Sequence, residues 1–111
     1  MVSVRLFTDR KCFGPGVAEL LRRVDENHSL RAAAQSMEMA YSKAWTIMKN
    51  AEAGLGVSLL VSSTGGKHGG GATLTDDARR ILAAYERCCE KLRARADELL
   101  AEEFSFYKDP V

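Results

Sequence analysis

Two segments, Ala40-Tyr-Ser-Lys-Ala-Trp45 and Thr64-Gly-Gly-Lys-His-Gly-Gly-Gly-Ala-Thr-Leu-Thr75, decide how this chain is expected to fold. The first lies within a run of apolar residues at helical spacing, and the second joins two strand-like runs rich in Val, Leu and Thr. A helix fits the major groove of DNA, and a loop with small side chains and a cation can lie against neighbouring phosphates. The pair predicts a recognition helix followed by a glycine-built wing.

The residues before the first segment predict one strand and two helices. Apolar and polar residues alternate over positions 2 to 6, which is the period of a half-buried strand. A first helix is expected from Pro15, because proline is tolerated in a first turn. A second helix is expected from about Leu30 to Ser36, with the Ser29 hydroxyl as its N-cap. With the helix that contains Tyr41, this second helix forms a predicted helix-turn-helix.

The third helix has one apolar stripe and one polar face. Tyr41 and Trp45 recur at helical spacing with Ala44 and Met48, so both aromatic side chains are expected in the core. The remaining side chains offer groups that can bond to phosphates and base edges. They are Ser42, Lys43, Thr46, Lys49 and Asn50. The alternative is that these residues form an ordinary solvent-exposed helix face. The predicted wing that follows favours the DNA-binding interpretation.

A long C-terminal helix is expected after Thr75, a residue type suited to an N-cap. Its apolar residues recur at spacings of four and three, and such a heptad seam needs a partner helix. The predicted dimer seam consists of Ala78, Leu82, Tyr85, Cys89, Leu92, Ala96 and Leu99. The expected organisation is a winged helix over residues 1–75 and a dimerisation helix with a tail over residues 76–111. The predicted class is mainly helical α+β.

Composition narrows the possible functions. The chain has 111 residues and is 46% hydrophobic, so one domain with a real core is expected. No run of about 18 apolar residues and no signal peptide is recognisable, which predicts a cytoplasmic protein without a membrane partner. The three cysteines lack metal-ligand spacing, and no group of residues resembles a catalytic site. No enzyme activity, no bound metal and no cofactor are expected.

The net charge of +1 is low for a nucleic-acid-binding protein. Its distribution is uneven, since residues 1–75 hold nine Lys and Arg against six Asp and Glu, whereas residues 76–111 hold seven against nine. The basic surplus therefore lies in the part expected to meet phosphates.

The glycine-rich segment does not have the pattern of a nucleotide-binding loop, which needs Lys-Ser or Lys-Thr leading into a helix. Here Lys67 is followed by His68, and a strand pattern comes next. A wing is favoured over a flexible hairpin without a binding role, because small side chains together with two basic residues allow the backbone to approach DNA closely. Besides the polar face of the third helix, the predicted DNA-binding residues are Arg31, Tyr41, Gly65, Gly66, Lys67, His68 and Gly69.

Four segments resemble the N-terminal DNA-binding domain of the molybdate-dependent (ModE-type) transcriptional regulators. They are Phe13-Gly-Pro-Gly16, Ser29-Leu-Arg-Ala-Ala-Ala34, Tyr41-Ser-Lys-Ala-Trp45 and the glycine-rich run from Thr64 to Thr75. The resemblance covers nearly the whole chain and implies a winged helix similar to that of LysR-type regulators. It also implies a homodimer, formed through the C-terminal helix, that binds a palindromic operator in double-stranded DNA.

The chain differs from that family pattern near the helix-turn-helix. Glu38 stands where glycine is usual, and Ala40 stands where serine usually caps the third helix. Ser42 also replaces a residue that is often basic. These differences and the low net charge favour one alternative, a winged-helix protein-interaction module that has lost DNA binding.

The family's molybdate site lies in β-barrel domains that follow the dimer helix. Because the chain ends at Val111, the sequence predicts a ModE-type regulator without that domain, and molybdate is not expected to bind.

Overall fold

The chain forms a winged helix-turn-helix whose last helix extends well beyond the other elements. The computed structural model describes residues 3–7, 11–63 and 71–107, and it measures 62 × 27 × 21 Å. This architecture confirms the prediction of a mainly helical α+β winged helix. In chain order the elements are β1 (Leu6–Phe7), β2 (Lys11–Phe13), α1 (Pro15–Asn27), α2 (Leu30–Ser36), α3 (Tyr41–Leu55), β3 (Leu60–Ser63), β4 (Gly71–Leu74) and α4 (Asp76–Glu103).

The core lies around α1, which contacts α2, α3, α4 and the strands β2 and β4. Its inward face buries Leu20, Leu21 and Val24 completely. The facing surfaces of α2 and α3 are lined by small residues such as Ala33 and Ala44, also fully buried. Small side chains let helices cross at close range, so the three helices pack tightly.

Local capping residues set the starts of two helices. The Ser29 hydroxyl accepts a hydrogen bond of 3.0 Å from the Ala32 N–H, and the Thr75 hydroxyl accepts one of 3.0 Å from the Ala78 N–H. Each bond satisfies a backbone donor that the helix cannot satisfy itself. Both caps were predicted from the sequence and are confirmed.

The N-terminal segment differs from its prediction. Residues 3–5 are not a strand, and β1 instead pairs antiparallel with β2, a strand that the sequence analysis missed. The carbonyl of Val4 accepts a hydrogen bond from the Tyr85 hydroxyl of α4 rather than from a neighbouring strand. Burial raises the pKa of the Tyr85 phenol, which keeps this donor protonated. A contact distant in sequence therefore decides the conformation here.

The wing strands β3 and β4 pair antiparallel in register, from Leu60 opposite Leu74 to Ser63 opposite Gly71. The Ala72 N–H donates a 2.9 Å hydrogen bond to the His28 carbonyl at the end of α1. This bond ties the hairpin to the helical core. The predicted wing-tip contacts Gly65, Gly66, Lys67, His68 and Gly69 lie outside the described residues.

The first half of α4 is part of the same core. Its buried residues are Ala78, Leu82, Tyr85 and Cys89. Two ion pairs add to this docking, with Arg22 Nε 2.7 Å from Glu86 Oε2 and Arg79 Nη2 2.9 Å from Asp25 Oδ1.

This packing corrects the predicted dimer seam, because those four side chains are covered by the chain's own core. A heptad pattern cannot distinguish a helix that packs on its own chain from one that packs on a second chain. Beyond Cys89 the helix leaves the core, and Leu92 and Leu99 are exposed. The remaining seam residue, Ala96, is half-buried.

Within the described part of the chain, no helix has both the length and the apolar character needed to cross a membrane. The same residues contain no cluster of three or more His, Cys, Asp or Glu side chains that could hold a metal ion. All three cysteines have free thiols, and only Cys88 is exposed.

Candidate nucleic-acid interface

Helix α3 presents one face to the core and the opposite face to solvent. Ala44, Met48 and Ala51 point inward and are buried. The solvent-facing surface contains all five predicted groove-facing positions and also Trp45. These six exposed residues are Ser42, Lys43, Trp45, Thr46, Lys49 and Asn50. Two lysines and four neutral residues make this surface cationic.

The structure shows that the prediction of a buried Tyr41 and Trp45 is wrong. Tyr41 is 39% exposed and Trp45 is 49% exposed. At about 100° per residue, Trp45 lies roughly 60° around the helix from Met48 and about 100° from Ala44, which places it at the edge of the apolar stripe. Trp45 was therefore missed as a surface residue. Angular distance from the centre of the stripe was the signal that could have found it.

Two cations lie over these exposed aromatic rings. The Arg31 guanidinium is 4.2 Å from the centre of the Tyr41 ring, and the Lys49 ammonium is 5.5 Å from the centre of the Trp45 ring. Cation–π contacts of this kind restrict long side chains and keep their charges at one place on the surface. Arg31 thereby joins α2 to the surface formed by α3.

The turn between α2 and α3 is formed without the usual residues. Glu38, at the position where the family usually has glycine, has a φ of 54°, which is the left-handed conformation. That conformation costs about 1–2 kcal/mol in a residue with a Cβ atom. Ala40 occupies the N-cap position of α3, and no side chain caps the helix there. The backbone N–H groups of the first turn of α3 are therefore left without a side-chain acceptor from the N-cap.

Glu52 joins the recognition helix to the wing. Its Oε2 atom accepts a 2.7 Å hydrogen bond from the Leu59 N–H, just before β3, and Oε1 lies 3.4 Å from Lys49 Nζ. Partial burial by itself would raise the Glu52 pKa, but the bond from Leu59 and the charge of Lys49 together lower it below its usual value. Glu52 is the only acidic residue of α3, and its hydrogen bond and ion pair partly neutralise its negative charge.

We expect Glu52→Gln to destabilise the protein by about 1 kcal/mol at pH 7, because a neutral amide accepts the Leu59 bond less strongly. A lowered pKa in the folded state stabilises the protein above the pKa of the unfolded state, and this contribution is lost as pH falls through the folded-state pKa. The difference in unfolding free energy between wild type and variant should therefore shrink on acidification. Urea unfolding of both proteins at neutral and acidic pH measures this difference.

Glu26→Gln, at an exposed position of α1, is the matched control, and it should leave the unfolding free energy at pH 7 within about 0.5 kcal/mol of the wild-type value. A constant difference between wild type and Glu52→Gln across the acidic range would contradict the role given to Glu52.

Comparison with known proteins identifies the domain that carries this surface. Residues 17–79 match the bacterial regulatory helix-turn-helix proteins of the lysR family. The chain belongs to that family. The match runs from α1 into the first turn of α4, so this LysR-family helix-turn-helix includes all of α2, α3 and the wing strands.

Three curated relatives resemble the chain more specifically. It is 32% identical over 89 residues to the transcriptional regulator ModE of Haemophilus influenzae, covering 80% of this chain and 34% of that protein. It is 31% identical over 80 residues to the molybdenum transport protein ModE of Azotobacter vinelandii, covering 72% and 30%. It is 33% identical over 66 residues to the molybdenum-pterin-binding protein MopB of Rhodobacter capsulatus, covering 60% and 24%. The chain thus spans about a third or less of each relative's length.

Proposed function

We infer that this protein is a transcriptional regulator that binds double-stranded DNA as a homodimer. The observation that carries this proposal is the exposed, cationic face of α3 in a LysR-family helix-turn-helix. A recognition helix of this kind enters the major groove, and the wing strands lie beside it. Such a role requires the cytoplasmic location expected from the sequence.

In this proposal, residues 1–75 contact DNA and residues 76–111 form the dimer. Beyond the core, α4 exposes large apolar residues that a partner helix would cover, namely Leu92, Leu99 and Leu100. Further aromatic residues, Phe104, Phe106 and Tyr107, are exposed after them. Contiguous apolar surface of this kind is characteristic of interaction sites. Ala96, half-buried, completes the proposed seam.

The competing proposal is a protein-interaction module that has kept the fold and lost DNA binding. The low net charge of +1 and the alanine at the N-cap of α3 favour it. Mobility shifts with genomic DNA fragments at low salt separate the two proposals, because only a DNA-binding protein retards the fragments.

The interpretation that molybdate does not bind these residues stays a prediction.

If DNA binding is dominated by phosphate contacts, its affinity should fall steeply with salt, with a slope of about −0.9 per phosphate neutralised. We expect Lys43→Gln to weaken binding to all duplexes alike and to reduce that slope by about 0.9. Fluorescence anisotropy at several salt concentrations measures both quantities. Lys91→Gln, on an exposed position of α4, is the control. An affinity that does not change with salt would rule out this mode of binding.

A further inference from the structure

The exposed face of α3 includes the large apolar side chain of Trp45. Its side chain is 49% exposed although α3 is otherwise packed on the core through Ala44, Met48 and Ala51. A single exposed apolar residue is common on protein surfaces and needs no function. Trp45 differs because it stands among the groups proposed to contact DNA, with Thr46 next to it and Lys49 one turn away.

Trp45 and Lys49 form a pair with a defined geometry. They are separated by four residues, so their side chains project from the same side of α3 about 6 Å apart along its axis. The Lys49 ammonium lies 5.5 Å from the centre of the indole ring. The ring and the Glu52 carboxylate, whose Oε1 lies 3.4 Å from the ammonium, together restrict the lysine, and Trp45 and Lys49 present an apolar surface and a charge side by side.

The major groove contains one apolar group that an indole can contact, the C5 methyl of thymine. A lysine ammonium beside it can donate to the O6 and N7 acceptors of guanine. A protein partner is less well matched, because an apolar docking surface is normally depleted of lysine, and Lys43 and Lys49 are both exposed on this face.

We propose that Trp45 is a specificity-determining residue that contacts the methyl group of a thymine, next to a guanine contacted by Lys49, in the major groove. This inference rests on the proposed function, since it requires that α3 enters duplex DNA. It assigns an apolar contact to a surface whose other predicted contacts are polar.

The experiment starts by selecting bound sequences from a random duplex library with the wild-type protein. Each thymine of the selected site is then replaced singly by uracil, which removes only the C5 methyl. At one position, the wild type should lose about three- to fivefold in affinity, the expected value of one buried methyl group. Trp45→Ala should bind the unmodified site more weakly by at least about the same three- to fivefold, and it should not distinguish thymine from uracil at that position.

The controls separate a base contact from a structural effect. Trp45→Gln, also a good helix former, repeats the measurement with a different side chain. Both variants should keep the helical circular dichroism of the wild type, because Trp45 is not part of the core. Phe7→Ala removes an exposed aromatic residue from β1, and it should leave the response to uracil unchanged.

Two results would overturn the proposal in different ways. If the wild type selects a site but every uracil substitution affects wild type and Trp45 variants equally, the thymine contact is wrong and DNA binding stands. If no sequence is enriched and no duplex is retarded, the proposed function is wrong and this inference is wrong with it.

Discussion

Replacing Gly54 by alanine is expected to destabilise the protein by about 2 kcal/mol or more, which is a large part of the stability of a small domain. A Cβ atom built at Gly54 would lie 2.3 Å from the Cβ of Cys12 in β2. The Cys12 Cβ is fixed by its backbone, so α3 and β2 would have to move apart. Alanine normally stabilises a helix by about 1 kcal/mol relative to glycine, and the steric overlap must exceed this gain.

Gly16→Ala is the matched control for this prediction. Gly16 lies in α1, and a Cβ atom there would have no neighbour within 4 Å. Urea unfolding of both variants at neutral pH gives the comparison, with Gly16→Ala expected to be neutral or slightly stabilising. Equal stability of the two variants would mean that the close approach of α3 to β2 is not maintained.

Leu92→Asp is expected to convert the proposed homodimer into a monomer and to lower DNA affinity by about a hundredfold or more. Leu92 is 44% exposed on the part of α4 that has left the core. In the proposed dimer, a carboxylate there would be buried between two helices without a partner charge, which is strongly unfavourable. Loss of the dimer also separates the two recognition helices, so each would bind its half-site independently.

Sedimentation equilibrium at micromolar concentration measures the oligomeric state, and anisotropy measures DNA binding. Lys91→Asp introduces the same carboxylate at the neighbouring exposed position, about 100° around the helix, and should remain dimeric. A wild-type protein that sediments as a monomer at this concentration would refute the proposed dimerisation through α4.

The sequence by itself was sufficient to predict structural features that depend only on residues close together in the chain. The start of α2 at Leu30 follows from Ser29, and the start of α4 follows from Thr75, because a cap is a bond between residues three apart. The start of α1 was located by Pro15, because proline is tolerated in the first turn of a helix.

The tertiary structure alone decided which surfaces each helix uses. Trp45 has the same helical spacing as a core residue, yet α2 and the strands do not cover it, and it remains on the face proposed for DNA. The heptad of α4 is continuous in sequence, but its first half packs on the chain's own core while Leu92 and Leu99 stay exposed. Periodicity records only that one face of a helix is apolar. What covers that face depends on contacts between residues far apart in the chain, such as the bond from Tyr85 to Val4.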